Sequence, residues 1–277
     1  MKFQIIGGDL RAVCLAKQLE GERNEVTAFA LDKAEGIKKI GDIEKADCYV
    51  LPLPVEGRKA GKLNAPLSDR EHSLSDILFD IPDGSLVLGG KMKSLTGCRG
   101  LEMHDYMQRP SFIIGNAALT AEAAIWLLMN ELETALYGKR VLVIGYGRIG
   151  RILSSRLKAM NVHVGVMSRN PDARAIAGAL GYSPVSPKEG IDGFDLIINT
   201  APGPVLPEGA LAQLKKDCVL LELASSPGGI DKAEAERNGR RFIAAPGLPG
   251  KYSPQSAAEL IYEAITEILK ERENGKA

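Results

Sequence analysis

Val141-Leu142-Val143-Ile144-Gly145-Tyr146-Gly147-Arg148-Ile149-Gly150 restricts what this chain can fold into more than any other stretch. Four aliphatic residues in a row suit a short strand covered on both faces, and three glycines at this spacing suit its turn into a helix. The first glycine permits a tight turn, the second lets the backbone approach a pyrophosphate, and the third lets helix and strand pack closely. Phosphates then meet the free N–H groups and the positive dipole end at the helix N-terminus. The glycine spacing alone says little; between a strand and a helix it says a good deal.

The second strand, Val162–Met167, refines the coenzyme. An NAD site places Asp or Glu about 20 residues beyond the glycines to bind the ribose 2′-hydroxyl. Here the tip carries Ser168 and Arg169. A carboxylate repels a 2′-phosphate, whereas a hydroxyl and a guanidinium bind it. The sequence therefore predicts NADP, with NAD the less favoured coenzyme. Arg169 also reads as an ordinary solvated loop cation, and only its place after the glycine motif favours the binding role.

The 277 residues suit about two domains. Hydrophobic content of 45% and charged content of 25% are those of soluble globular proteins. Lys+Arg and Asp+Glu both number 35, so no global field draws the chain to nucleic acid or an anionic membrane. Cys14, Cys48, Cys98 and Cys218 are scattered, without a CxxC pair or a histidine at metal-ligand spacing. That argues against a metal site and for buried, reduced thiols in a cytoplasmic protein. The apolar run before Arg11 is too short for a signal peptide, and no segment approaches the roughly 20 apolar residues of a membrane span.

Phe3–Ile6, Val26–Ala30, Cys48–Leu53 and Ser85–Leu88 read as strands, and Leu10–Leu19 as a helix. Thr120–Leu136 reads as a connecting helix, with Thr120 as N-cap and Ala121, Ala124, Ile125, Leu128, Leu132 and Leu136 on its apolar stripe. Val141–Ile144, Val162–Met167, Tyr182–Val185, Asp195–Thr200, Val219–Leu223 and Phe242–Ala245 are strands of a second sheet, with helical stretches at Ala173–Leu180 and Gly209–Leu214. Ser253-Pro254 caps a last helix running to about Lys270. The expected architecture is α/β: two Rossmann-like domains with doubly wound parallel sheets and a cleft between them. Residues 1–118 with 254–277 form a discontinuous flavodoxin- or Rossmann-like substrate domain, and residues 119–253 the NAD(P)-binding domain with its connecting helix.

Several blocks resemble the A-subunit family of dipicolinate synthases over nearly the whole chain. They are Ile6-Gly7-Gly8-Asp9 with Arg11, Asn116 through Thr120-Ala121-Glu122 to Ile125, the glycine motif, and Ile198-Asn199-Thr200-Ala201-Pro202. Leu223-Ala224-Ser225 with Pro227-Gly228-Gly229 follows, then Ala245-Pro246-Gly247-Leu248-Pro249-Gly250 leading to Ser253-Pro254. The Gly-Leu-Pro-Gly run, read as a turn at a sheet edge, is the most specific of these. Leu119 and Ala123 depart from the family pattern, which has Pro and Gly there. The resemblance implies an NADP-linked step on a cyclic dicarboxylate of the lysine branch: a hydroxy-tetrahydropyridine dicarboxylate loses water, then a hydride and a proton, to give pyridine-2,6-dicarboxylate during sporulation. It also implies a flavoprotein-like partner, the B-subunit of dipicolinate synthase, and the mother cell of a spore former.

Ligands of open α/β sheets bind beyond the carboxyl ends of the strands. That edge of the second domain carries Gly145, Gly147, Arg148, Ile149, Gly150, Ser168, Arg169, Thr200, Ala201, Pro202, Gly247 and Leu248 as coenzyme candidates, and Ser225-Ser226 nearby. Thr200 and Ala201 are placed beside the nicotinamide ribose; Pro202 is a pocket wall or a plain strand-ending turn. In the first domain the edge carries Asp9, Arg11 and Lys91, with the two cations as grips for carboxylates. Arg11 also reads as a helix-surface charge, and Lys91 as a turn residue. Lys91 and Glu122 are the candidate catalytic groups. Glu122, placed in the first turn of the connecting helix, accepts the proton if partial burial raises its pKa, although a carboxylate there also simply complements the helix dipole. Asn116 holds a carboxylate or the nicotinamide amide, or caps a loop; Thr120 and Ser225 complete the substrate set.

His72, His104 and His163 are the only histidines, and none follows His163. An ordinary two-domain hydroxyacid dehydrogenase has its catalytic histidine late in the nucleotide domain, so that reading ranks second. A third possibility is a nucleotide-binding subunit without catalysis of its own.

Overall fold

Residues 1–95, 100–225 and 227–275 are described by a computed structural model, and Cys98 and Ser226 fall outside them. The chain divides into two units, Met1–Asn116 with Pro249–Ala277, and Ala117–Leu248.

The first unit is built on β1 (Lys2–Ile6), α1 (Leu10–Gly21), β2 (Glu25–Phe29), β3 (Cys48–Val50), α2 (Leu74–Asp80), β4 (Leu86–Gly89) and β5 (Glu102–Asp105). Its five parallel strands run in the order β2-β1-β3-β4-β5. Side chains alternate between two cores: Phe3, Ile5, Cys48, Val50, Leu86 and Leu88 pack with α1, while Ile6, Tyr49 and Val87 pack with Leu74 and Ile77 of α2. Burial on both faces is why these strands read as unbroken aliphatic runs. No such run marks β5. It is an edge strand of Glu-Met-His-Asp, all four half-buried.

α3 (Pro110–Glu131) corrects the connecting helix. It starts ten residues before Thr120, with proline at its first position, and stops before Leu132. Thr120 is thus a buried mid-helix residue rather than an N-cap, and Asn116 is helical rather than a loop cap. α3 also corrects the membrane expectation, since its length and its mean hydropathy of 1.6 suit a span. That apolarity is used in packing: Ala121, Ala124 and Leu128 lie fully buried in one core with Val141, Val143, Leu153 and Leu157.

The second unit continues with β6 (Arg140–Ile144), α4 (Arg148–Ala159), β7 (His163–Met167), α5 (Pro171–Ala179), β8 (Ser183–Val185), β9 (Leu196–Asn199), β10 (Val219–Glu222), α6 (Lys232–Arg237) and β11 (Arg241–Ala244). All six strands are parallel, in the order β11-β10-β9-β6-β7-β8. The stretch expected as a helix at Gly209–Leu214 is a 3₁₀ turn over Ala210–Gln213.

The Gly-Leu-Pro-Gly run is a short helix rather than a turn: α7 (Leu248–Tyr252). It leads into α8 (Pro254–Glu273), which packs on α1 through Ala258, Ile261, Ala264, Ile265 and Ile268. Ser253 holds the N-cap position of α8, but its side chain makes no capping bond.

Candidate functional site

Strand order in the second unit reverses between β6 and β9, the switch point where open α/β sheets bind ligands. The loop Gly145–Gly150 leaves β6 there, and Thr200-Ala201-Pro202 leaves β9. Each glycine has its own reason. Gly145 has φ +93°, and a Cβ on it would stand 2.6 Å from Thr200 Oγ1. A Cβ on Gly150 would stand 2.1 Å from the Gly145 carbonyl oxygen, so α4 could not approach β6 with any side chain there. A Cβ on Gly147 would meet nothing within 4 Å. That open side adjoins the N-terminus of α4, where Gly147 supplies no side-chain cap to the first N–H groups. Free amides beside open space form a receptor for an anion such as a pyrophosphate. Arg148 is exposed beside them, and Ile149 is half-buried against the core.

At the β7 tip Ser168 is half-buried and Arg169 exposed. Arg174 Nη1 donates to the carbonyls of Ser168 at 2.5 Å and Arg169 at 3.1 Å. Asn170 caps α5 by accepting from Asp172 N at 2.9 Å. The tip therefore carries two guanidinium groups and no carboxylate in Ser168-Arg169-Asn170. Sequence reasoning missed Arg174; an arginine one turn into the helix after the tip was the available signal.

At the β9 tip the Thr200 hydroxyl donates to the carbonyls of Ile144 at 3.0 Å and Gly145 at 3.3 Å, which braces the glycine loop. Ala201 is clipped at both ends by Asn199, whose Oδ1 accepts from Ala201 N at 3.1 Å and whose Nδ2 donates to Ala201 O at 2.9 Å. Pro202 is exposed. Gly247 has φ +69°, while Leu248 is 1% exposed and belongs to the core of α3 and β6. The Leu248 side chain thus packs in the core, contrary to its expected place against a coenzyme. Ser225 is exposed, and its carbonyl accepts from Gly228 N at 3.0 Å.

The first unit's sheet reverses between β1 and β3, and Asp9 sits at its carboxyl edge. Asp9 is the N-cap of α1, accepting from Arg11 N at 3.0 Å. It also grips the Arg11 guanidinium with three bonds, from Nε at 2.9 and 3.2 Å and from Nη2 at 2.8 Å. Nη2 donates further to the Leu53 carbonyl, and Nη1 makes no hydrogen bond among the described residues. Arg11 is accordingly neither a surface charge nor an isolated cation: it is 9% exposed and fixed by a carboxylate. Gly8 N is taken by Asn64 O at 2.9 Å, and Leu63 lies where a Cβ on Gly7 would be, 2.6 Å away. Asp9 thus already fills the N-terminus of α1. What is left is a recess of about 20 Å³, enough for one water, lined by Gly8, Asp9, Arg11, Pro52, Leu53 and Tyr106. Burial pushes the Tyr106 phenol well up from its ordinary pKa.

Lys91, after β4, is exposed with a left-handed φ of 60°, and its amide donates to Asp105 Oδ1 at 3.2 Å. Glu122 is the clearest correction. It lies in the middle of α3, its side chain is 73% exposed, and it pairs with Arg156 Nη1 at 3.5 Å. The partial burial on which its role as a proton acceptor depended is absent. Asn116 and Thr120 lie one turn apart on α3, half-buried and buried respectively. His163 is the exposed first residue of β7, at the opposite edge from the glycine loop.

Residues 2–107 match the family described as the N-terminal domain of the dipicolinate synthase A-subunit, and residues 99–227 match D-isomer specific 2-hydroxyacid dehydrogenase, NAD binding domain. The dipicolinate synthase A-subunit of Bacillus subtilis (strain 168) is 26% identical over 294 residues, covering 100% of this chain and 99% of that protein. The crystal structure of the dipicolinate synthase A-subunit from Bacillus halodurans superposes with a TM-score of 0.83 at 25% identity, covering 97% of each chain. That of its counterpart from Bacillus subtilis gives 0.82 at 25% identity, covering 99% of this chain and 97% of that one. The two parallel-sheet α/β domains expected from the sequence are thus those of these structures, and the second domain is a nicotinamide-coenzyme domain with a dehydrogenase-like role. Along its whole length, this chain is similar to the dipicolinate synthase A-subunits.

Proposed function

We propose that the chain is an NADP-dependent oxidoreductase subunit that forms pyridine-2,6-dicarboxylate from a hydroxy-tetrahydropyridine dicarboxylate of the lysine branch. The observation that carries the reading is the whole-length likeness to the dipicolinate synthase A-subunits, joined to a β7 tip that offers Arg169 and Arg174 without a carboxylate. The substrate first loses water. The resulting dihydro compound then gives up a hydride and a proton and becomes aromatic. When bound, the coenzyme supplies the hydride acceptor.

The chain's own residues bind and orient. Amides of Gly147–Gly150 hold the pyrophosphate, and Ser168, Arg169 and Arg174 hold the 2′-phosphate. In the first unit the Nη1 of Arg11, its guanidinium already fixed by Asp9, receives one substrate carboxylate, and Lys91 the other. A flavoprotein-like B-subunit completes the enzyme in the mother cell of a spore former.

The exposure of Glu122 favours one other reading, a nucleotide-binding subunit whose acid–base group belongs to a partner. Purified chain, with and without the B-subunit, is incubated with NADP and the lysine-branch intermediate. Reduced coenzyme appearing in step with the pyridine product supports the proposal. Coupled turnover by the chain without the B-subunit excludes the other reading, and no coupled change with the pair refutes the proposal.

A further inference from the structure

The second unit contains a buried carboxylate that no expected role accounts for. Glu222, the last residue of β10, is 6% exposed. Its Oε1 accepts from Asn199 Nδ2 at 2.7 Å and Ala224 N at 2.9 Å. Its Oε2 accepts from Gly229 N at 2.9 Å and Ile230 N at 3.0 Å. Four donors match the four lone-pair sites of a carboxylate anion, which is how a buried charge is accommodated without a cationic partner. The following loop closes tightly over it: a Cβ on Gly228 would stand 2.9 Å from Glu222 Oε2, and one on Gly229 2.6 Å from Asn199 Nδ2. The Pro227-Gly228-Gly229 run therefore exists to wrap this acid. Through Asn199 the same carboxylate is tied to Ala201, so one side chain joins the loops that follow β9 and β10.

Those loops lie on one side of the switch point and the β7 tip on the other. A dinucleotide crosses the switch point. With its adenosine end at β7 and its pyrophosphate at α4, its nicotinamide half falls on the β9 and β10 side. The oxidised nicotinamide ring carries a positive charge and the reduced ring none. An anion held by fixed dipoles in a poorly solvated place favours the charged form.

We propose that Glu222 is a positioning residue for the nicotinamide half, joining the β9 and β10 loops and biasing bound coenzyme toward its oxidised form. The inference rests on the second unit's being a nicotinamide-coenzyme domain.

The test titrates NADP⁺ and NADPH separately into the wild type, Glu222→Gln, Glu222→Asp and Asn199→Ser, with circular dichroism to establish folding. Glu222→Gln is expected to raise the Kd for NADP⁺ relative to that for NADPH by about fivefold. Glu222→Asp keeps the charge and Asn199→Ser keeps the acid while cutting its tie to β9. Both are expected to weaken the two forms by a common factor, leaving their ratio as in the wild type. An unchanged ratio in Glu222→Gln overturns the proposal. If that variant does not fold, a shifted ratio in Glu222→Asp overturns it instead. A wild type that binds neither form refutes the coenzyme reading itself, a separate outcome.

Discussion

A methyl group on Gly150 would stand 2.1 Å from the carbonyl oxygen of Gly145. Helix α4 and strand β6 are in contact at that point, and nothing flexible separates them. Gly150→Ala is expected to cost about 1–3 kcal/mol of stability, the usual range for overpacking a tight site. Gly147→Ala adds its methyl to open space at an ordinary φ of −80°. Its stability should stay within about 0.5 kcal/mol of the wild type, while coenzyme affinity falls at least about tenfold. Thermal unfolding and coenzyme titration on the two variants check the contrast. Equal loss of stability in both would contradict the separate roles given to these glycines.

The β7 tip makes a second prediction. Arg169→Asp replaces a guanidinium by a carboxylate at the point where a 2′-phosphate would lie, so NADP affinity should fall about ten- to a hundredfold. NAD lacks that phosphate and should change by no more than about twofold. Parallel titrations with both coenzymes decide it, and equal weakening sinks the assignment.

Legibility followed local pattern. Strands β6, β7, β9 and β10 show in the sequence because each is an apolar run buried on both faces, and the glycine loop shows because three backbone constraints fall in six residues. β5 does not show, since Glu102-Met-His-Asp105 is a half-buried edge. The first half of α3 is hidden because Gly115 and Asn116 disfavour helix. In the fold Gly115 is required there, as a Cβ would stand 2.6 Å from Leu260 Cδ2 of α8. That contact joins residues 145 positions apart, and no local window contains it. Glu222 is invisible for the same kind of reason: a glutamate ending an apolar strand reads as the exposed strand end. Only the glycines at 228 and 229 hint that something is enclosed.

Asp9 and Arg11 supply a stability prediction. Asp9→Ala removes the cap of α1 and leaves a nearly buried guanidinium with its carboxylate gone. The combined loss is expected to be about 2–3 kcal/mol, discounted for the part of Asp9 that water reaches. Urea unfolding measures it, and a loss under about 0.5 kcal/mol would contradict the pairing.

His72 gives the pH dependence. Its Nε2 lies 2.9 Å from Ser68 Oγ, which donates to Asp32 Oδ2 at 2.7 Å. Burial first, and the Arg70 charge second, hold the imidazole below its ordinary pKa, with Asp32 opposing them. The unfolded chain therefore takes up this proton first as pH falls. The stability His72 contributes is present above its ordinary pKa and is lost as the pH falls from that value toward the lower one of the folded state. Over that interval the Tm of His72→Gln should fall less than that of the wild type. A steeper fall in the variant would reverse the sign of the argument.

Calorimetric titration of NADP into the folded wild-type chain tests the central claim most directly. The α4 N-terminus is open to phosphate, and the α1 N-terminus is filled by Asp9. The account predicts one site per chain, with NADP bound more tightly than NAD. Absence of heat with either coenzyme, two sites per chain, or tighter binding of NAD would contradict it.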